Sequence, residues 1–227
     1  MEQLHKQYIE PILNELHPKK MLEIGVLKGR HTYSLLTWCE VNCCELISVD
    51  PTPWQGHIPD CLKTGAEGYK YKRGRQSEAD FLVPTYIERI FSESMKKSWT
   101  CKKSLSINYL STCSERFDIV FIDGDHNYYT VINELTLLSK LLSSEGCIFI
   151  HDISNPSCAF TDFYYDYTTI PKDLIDKEKQ GIITAIDDFI SLFPSFIFQT
   201  LTEENNGLGI VRHCDKNSYG ARKGKIV

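Results

Sequence analysis

Six residues from Phe117 to Ile122 form an almost unbroken apolar run, and Asp123 ends it abruptly. A strand buried on both faces reads this way, because helices cover both sides of a parallel sheet. One such strand constrains the rest of the chain, since parallel neighbours can only be reached by long crossovers, usually helical. The flanking sequence supplies both. Residues 20–25 read as a short buried strand, Glu45–Val49 as a second that Asp50, Pro51 and Pro53 bring to a stop, and residues 147–150 as another, followed by His151 and Asp152. Between them lie helical spacings. Leu4, Tyr8, Ile12 and Leu16 predict a first helix within 1–17 that His17 and Pro18 end. Tyr33, Leu36 and Glu40 follow Gly29, and Val131, Leu135, Leu138 and Leu142 precede Gly146 as the helix stop. A last helix is expected over 184–192, then strands over 196–201 and 207–212 joined by Glu203, Glu204, Asn205 and Asn206 as an antiparallel hairpin.

The expected fold class is therefore α/β, a mostly parallel sheet with helices on both faces and a C-terminal antiparallel hairpin, in one domain over residues 1–227. Residues 52–116 fit this scheme poorly. They offer one helix over 85–95, and a third strand at either 69–72 or 105–110; a connection of this length reads as an insertion or a substrate-side lid.

Composition narrows the function. An apolar share of 42% and a charged share of 24% exclude a disordered or fibrous chain. A net charge of -5 disfavours general capture of nucleic acid. The local cluster Lys70, Lys72, Arg73 and Arg75, interleaved with Tyr69 and Tyr71, reads either as a contact for an anionic substrate or as solvated loop charge, and Arg222, Lys223 and Lys225 as a frayed tail. Nine cysteines without a C-x-x-C, behind a charged rather than apolar N-terminus, predict reduced thiols and a cytoplasmic location. No apolar run approaches the roughly 20 residues of a membrane helix. The expected partner is a small-molecule acceptor, with no membrane, and a homo-oligomer is compatible with the sequence.

In parallel sheets of this kind ligands bind beyond the carboxyl ends of the strands, and there the chain places Glu23, Asp50, Asp123, His151 and Asp152. Glu23, Gly25 and Gly29 spell E-x-G-x-x-x-G at a strand-to-helix turn, where the glycines let a ligand approach the backbone. The dinucleotide pattern G-x-G-x-x-G differs, and an acid beside the turn suits a cofactor with an ammonium group rather than a pyrophosphate. Asp50 is placed to accept from ribose hydroxyls, of S-adenosylmethionine or of NAD; as a structural residue it would cap the strand end.

The stretch from Phe117 through Ile122-Asp123-Gly124-Asp125-His126, with Ile150-His151-Asp152 after it, resembles the class I methyltransferase family that includes the macrocin and mycinamicin sugar O-methyltransferases and, more distantly, cephalosporin hydroxylase. The resemblance covers roughly residues 20–50 and 117–152, with an echo in Gly207 to Val211. It implies a Rossmann-like sheet, S-adenosylmethionine bound by Glu23, Gly25, Gly29, Asp50 and Asp123, and O-methylation of a sugar or polyol. It also implies catalysis by His126 as base with Asp123, and a magnesium ion on Asp123 and Asp152. One departure stands out: His151 occupies the place of an acid. With His151 in the set Asp123, His151 and Asp152, the residues suit manganese, iron or zinc as well as magnesium, and they equally suit no metal, with His151 and Asp152 bonded to loop backbone. Asp125 reads as a further ligand or as a helix cap, and His31 as a contact to the cofactor. His5, His17, His57 and His213 carry no expected role. Two readings compete with methyl transfer: a nicotinamide-dependent oxidoreductase, and a binding module of the same fold without turnover.

Overall fold

The computed structural model describes residues 2–27, 29–51, 91–163 and 174–214. Its centre is a seven-stranded sheet in the order β3-β2-β1-β4-β5-β7-β6. The strands are β1 (Lys20–Ile24), β2 (Glu45–Val49), β3 (Trp99–Lys102), β4 (Phe117–Ile122), β5 (Leu142–His151), β6 (Phe196–Thr202) and β7 (Leu208–His213). Strands β1 to β5 pair in parallel, while β7 runs antiparallel to both β5 and β6. Two apolar layers cover the sheet. One gathers Leu22, Val120, Ile148, Leu135 and Phe189, the other Met21, Leu46, Phe121, Phe149 and Leu35, so successive residues of β1 and β4 enter opposite layers. That two-sided burial is what the continuous apolar runs demanded.

The N-terminal helical run α1 spans residues 2–16 and contains a π turn, His5–Ile9, ahead of a regular stretch, Glu10–Leu16. Pro11 has no N–H to continue the ladder and its ring crowds the carbonyl four residues earlier, which accounts for a widened turn just before it. The extra residue shifts the buried stripe to Leu4, His5, Ile9 and Leu13, and Leu16, expected inside, is 37% exposed. The turn ends on His17 at φ 47°, as expected from His17 and Pro18.

Helix α2 (Arg30–Asn42) follows the glycine turn, but it buries His31, Thr32, Leu35, Leu36 and Cys39 rather than Tyr33 and Glu40. The third strand is neither of the two expected: β3 is Trp99–Lys102, and residues from Leu105 onward enter helix α4 (Ser106–Thr112). The alternative at 69–72 lies outside the described residues, as do the basic cluster and the C-terminal tail. Of the helix expected over 85–95 the structure describes α3 (Glu93–Lys97), capped by Ser92, whose Oγ accepts from Met95 N at 3.1 Å.

Helix α5 (Tyr128–Leu141) ends at Leu141, and Gly146 is not its stop but part of β5. The pairing of β5 with β4 jumps from Phe117↔Leu142 to Ile119↔Cys147, a bulge in β5, and a Cβ on Gly146 would sit 2.6 Å from Asp118 O. Helix α6 (Ile182–Leu192) and the hairpin β6–β7 match the expected order. Among the described residues no helix is long and apolar enough to cross a membrane, and eight cysteines are free thiols.

Candidate active site

Two groups of polar side chains meet at the carboxyl edge of β1, β2, β4 and β5. The first surrounds the turn after β1. Glu23 is 1% exposed, and its Oε2 accepts from Thr32 Oγ1 of α2 at 2.8 Å and Ser48 Oγ of β2 at 2.7 Å. Burial pushes its carboxyl up to about 8 in spite of those bonds. Asp50 reaches across from β2: its Oδ2 accepts the backbone N–H of Val26 at 2.8 Å and of Leu27 at 3.1 Å. The acid read as a ribose ligand thus also holds the glycine turn in place. Gly29 caps α2 at φ 65°. His31, in the first turn of α2, lies with Nδ1 3.6 Å from Glu23 Oε1 and its ring edge-on to Phe121.

Gly25 joins this group to the second. Its N–H donates to Val49 O at 3.0 Å, Asp123 N donates to Ile24 O at 2.9 Å, and at φ 90° a Cβ on Gly25 would lie 2.1 Å from Asp123 O. Only a residue without a side chain lets the two strand ends approach this closely.

The second group is Asp123, His126, His151 and Asp152. His126 Nε2 lies 3.2 Å from Asp152 Oδ2 and 3.8 Å from Asp123 Oδ1. His151 Nδ1 is 3.1 Å from Asp123 Oδ1 and 3.5 Å from Asp152 Oδ2, while its Nε2 is 3.0 Å from the carbonyl of Asn205. A carbonyl only accepts, so Nε2 carries a proton; Nδ1 faces carboxylates and carries the other. Burial opposes the resulting imidazolium, but Asp123 and Asp152 outweigh it and raise His151 to about 10. In return the imidazoles hold both carboxyls below the usual range against their own burial. Asp152 sits at φ 63°, a left-handed conformation uncommon outside glycine, with its N–H on Gly207 O at 3.1 Å.

All residues expected at the site are therefore brought to this edge. Asp125 is not the helix cap: Asn127 caps α5 by accepting from Thr130 N at 2.8 Å, and Asp125 Oδ2 accepts from Thr130 Oγ1 at 3.5 Å. Sequence reasoning missed three contributors. Cys158, with His126 and Asp152, forms a set of donor atoms all within 4.8 Å of one another, as do Asp123, His151 and Asp152. The turn at Asn205–Gly207 supplies carbonyls to His151 and Asp152. His5, buried in the π turn, meets His31 edge-on with ring centroids 5.6 Å apart. Asp123 and Asp152 offer the one or two carboxylates that magnesium takes beside its waters, while the imidazoles and the Cys158 thiol suit softer ions.

Residues 22–153, more than half of the sequence, match the family described as methyltransferase domain. The chain belongs to that family. The resemblance read from the I-D-G-D-H stretch is upheld at this level, and the nicotinamide reading loses its ground. No curated protein matches the chain. Solved structures share the fold at low identity. The Podospora anserina methyltransferase PaMTH1, crystallised with S-adenosylhomocysteine, is 17% identical with a TM-score of 0.53, over 90% of this chain and 75% of that one. An O-methyltransferase from Bacillus cereus, also with S-adenosylhomocysteine, is 14% identical with a TM-score of 0.54, over 90% and 78%. The calicheamicin-pathway TDP-rhamnose 3'-O-methyltransferase CalS11 is 12% identical with a TM-score of 0.54, over 94% and 81%. The methyltransferase family thus brings with it the mostly parallel, Rossmann-like sheet with its antiparallel hairpin.

Proposed function

We propose that the chain transfers a methyl group from S-adenosylmethionine to a hydroxyl oxygen of a small acceptor, a sugar or polyol. The observation that carries this reading is the contact of Gly25 with Asp123, which sets the acids of the glycine turn back to back with His126 and Asp152 in a methyltransferase-domain chain. Glu23 and Asp50 receive the cofactor's ammonium group and ribose. The bound cofactor supplies an electrophilic methyl on its sulfonium. His126, with Nε2 3.2 Å from Asp152 Oδ2, takes the acceptor's hydroxyl proton. As that proton leaves, the acceptor oxygen bonds to the methyl carbon and the carbon–sulfur pair returns to sulfur, giving a methyl ether and S-adenosylhomocysteine. Asp152 then stabilises the imidazolium, and Asp123, clamped by His151, keeps the edge anionic. Asp123 and Asp152 would hold a divalent ion, which would lower the pKa of the acceptor hydroxyl, and no step is routed through it.

The test is a pair of thermal shifts with S-adenosylhomocysteine and NADH, followed by transfer of labelled methyl to a panel of sugars and polyols. Stabilisation by S-adenosylhomocysteine and transfer lost in His126→Ala are expected. Stabilisation by NADH alone overturns the reading, and undiminished transfer in His126→Ala removes the base.

A further inference from the structure

The segment that follows β5 folds back on the acid at its start and brings a thiol there. Asn155 N donates to Asp152 O at 3.2 Å and Cys158 N to Asn155 O at 3.0 Å, and this turn lets Cys158 Sγ donate to Asp152 O at 3.7 Å. The same segment holds the backbone of the base, since Phe163 N donates to His126 O at 2.9 Å, and it is anchored on α6 by Ile182 N, which donates to Cys158 O at 3.0 Å. Ligand atoms of His126, Asp152 and Cys158 therefore all lie within 4.8 Å of one another, in residues that are 8%, 6% and 1% exposed. Among the described residues no other cysteine enters such a set. Spacing and chemistry agree on an occupant. Two zinc bonds of about 2.0–2.1 Å at the tetrahedral angle end about 3.3 Å apart, and His126 Nε2 stands 3.2 Å from Asp152 Oδ2. A hydrogen-bonded histidine–aspartate pair has the same separation; the buried thiol beside it is what such a pair does not require. Asn155 Nδ2 donates to Asp152 Oδ1 at 3.4 Å, which turns Oδ2 to His126 as a second-shell bond turns a metal ligand.

We infer that His126 Nε2, Asp152 Oδ2 and Cys158 Sγ form a zinc site, different in its donors from the carboxylate pair Asp123 and Asp152, and that zinc bound there withdraws His126 from catalysis. The ion displaces the thiol proton to solvent and is held by the thiolate, the imidazole lone pair and one carboxylate oxygen, with water in the fourth position. A ring nitrogen bonded to zinc accepts no proton. Magnesium takes oxygen and makes no claim on the ring or the sulfur, so an oxygen-seeking ion leaves the base free and a thiol-seeking one blocks it. The site itself stands apart from the methyl-transfer reading; its effect on turnover rests on that reading.

Cobalt is the spectroscopic probe for zinc here, because a thiolate bound to it gives an ultraviolet charge-transfer band. The unaltered protein should show that band on adding cobalt and lose it to excess zinc but not to magnesium. Cys158→Ser should abolish the band and weaken zinc about tenfold or more in calorimetry, at least what loss of a mere second-shell partner costs. Cys43→Ser, at an exposed thiol, should change neither. His126→Gln should weaken zinc likewise and serves if the Cys158 variant does not fold. Transfer of labelled methyl should fall as zinc is added, return with a chelator, and in Cys158→Ser need about tenfold more zinc to fall. No band in the unaltered protein, or a band that survives Cys158→Ser, overturns the site. A band together with transfer indifferent to zinc overturns the effect on His126. Absence of transfer under every condition counts against the methyl-transfer reading, and the band then decides the site by itself.

Discussion

Alanine at Gly25 would place its methyl group 2.1 Å from Asp123 O, 2.6 Å from Asp123 C and 2.8 Å from Gly124 Cα. All three are backbone atoms, and ordinary carbon–oxygen contacts begin at about 3.3 Å, so the ends of β1 and β4 must part by roughly an ångström. That movement breaks the Asp123 N to Ile24 O bond of 2.9 Å. Left-handed backbone costs alanine about 1–2 kcal/mol, overpacking about 1–3 and the lost bond about 1, so Gly25→Ala should lose about 3–6 kcal/mol. For a chain of this size the melting temperature should fall by roughly 10–20 °C, followed by circular dichroism. S-adenosylhomocysteine binding should weaken in the fraction that remains folded. Gly124→Ala is the control, because its Cβ meets backbone no closer than 3.8 Å and is tight only against the Ile24 Cγ2 methyl at 3.2 Å, which can give, so it should cost under about 1.5 kcal/mol. A Gly25→Ala melting point within about 2 °C of the parent, or equal losses in both variants, would refute the close approach on which the site depends.

Three further outcomes follow from the buried charges. His151 is raised from its ordinary value to about 10, so its contribution to stability is full below about pH 6.5 and is lost as pH rises toward 10; urea midpoints of His151→Gln should therefore decline less between pH 7 and 10 than those of the parent, and equal slopes would sink the idea. Glu134 is fully buried in α5 with both carboxyl oxygens unpartnered, and burial pushes it up to about 8, so its stability contribution falls between about pH 4.5 and 8. Glu134→Leu should melt above the parent at pH 8 by a margin that shrinks at pH 5; a margin independent of pH would count against a buried acid. Asp50→Ala strands the N–H groups of Val26 and Leu27, at about 1–3 kcal/mol, and should weaken S-adenosylhomocysteine about tenfold; calorimetry showing intact affinity would mean that the turn holds without Asp50.

The strands that carry the site were legible because burial on both faces leaves no room for polar residues until the edge is reached. Phe117–Ile122 and Glu45–Val49 are found with the bounds their apolar runs suggest, and their terminal acids fall where ligands bind. Strand β3 hid because Trp99, Thr100, Cys101 and Lys102 form a short, half-exposed strand at the sheet's rim with no apolar run to mark it. Gly146 misled because a glycine after a helical spacing reads the same whether it stops a helix or relieves a bulge. His5 and Cys158 reach the site through tertiary packing alone, the first by the shift that Pro11 imposes on α1 and the second by the turn in which Cys158 N bonds Asn155 O at 3.0 Å. No local pattern announces either.

The tip of the C-terminal hairpin lends this edge three main-chain oxygens: Asn205 O to His151, Asn206 O to Ser154 and Gly207 O to Asp152. Gly207 must stay without a side chain, since at φ 88° a Cβ would lie 2.6 Å from Ser154 Oγ, whereas positions 205 and 206 need only tolerate φ of 51° and 72°. The length of the tip is not free. Adding or deleting one residue between β6 and β7 would shift which carbonyl faces His151, and a mutation far from any reacting group would silence the acid pair by misaligning its scaffold.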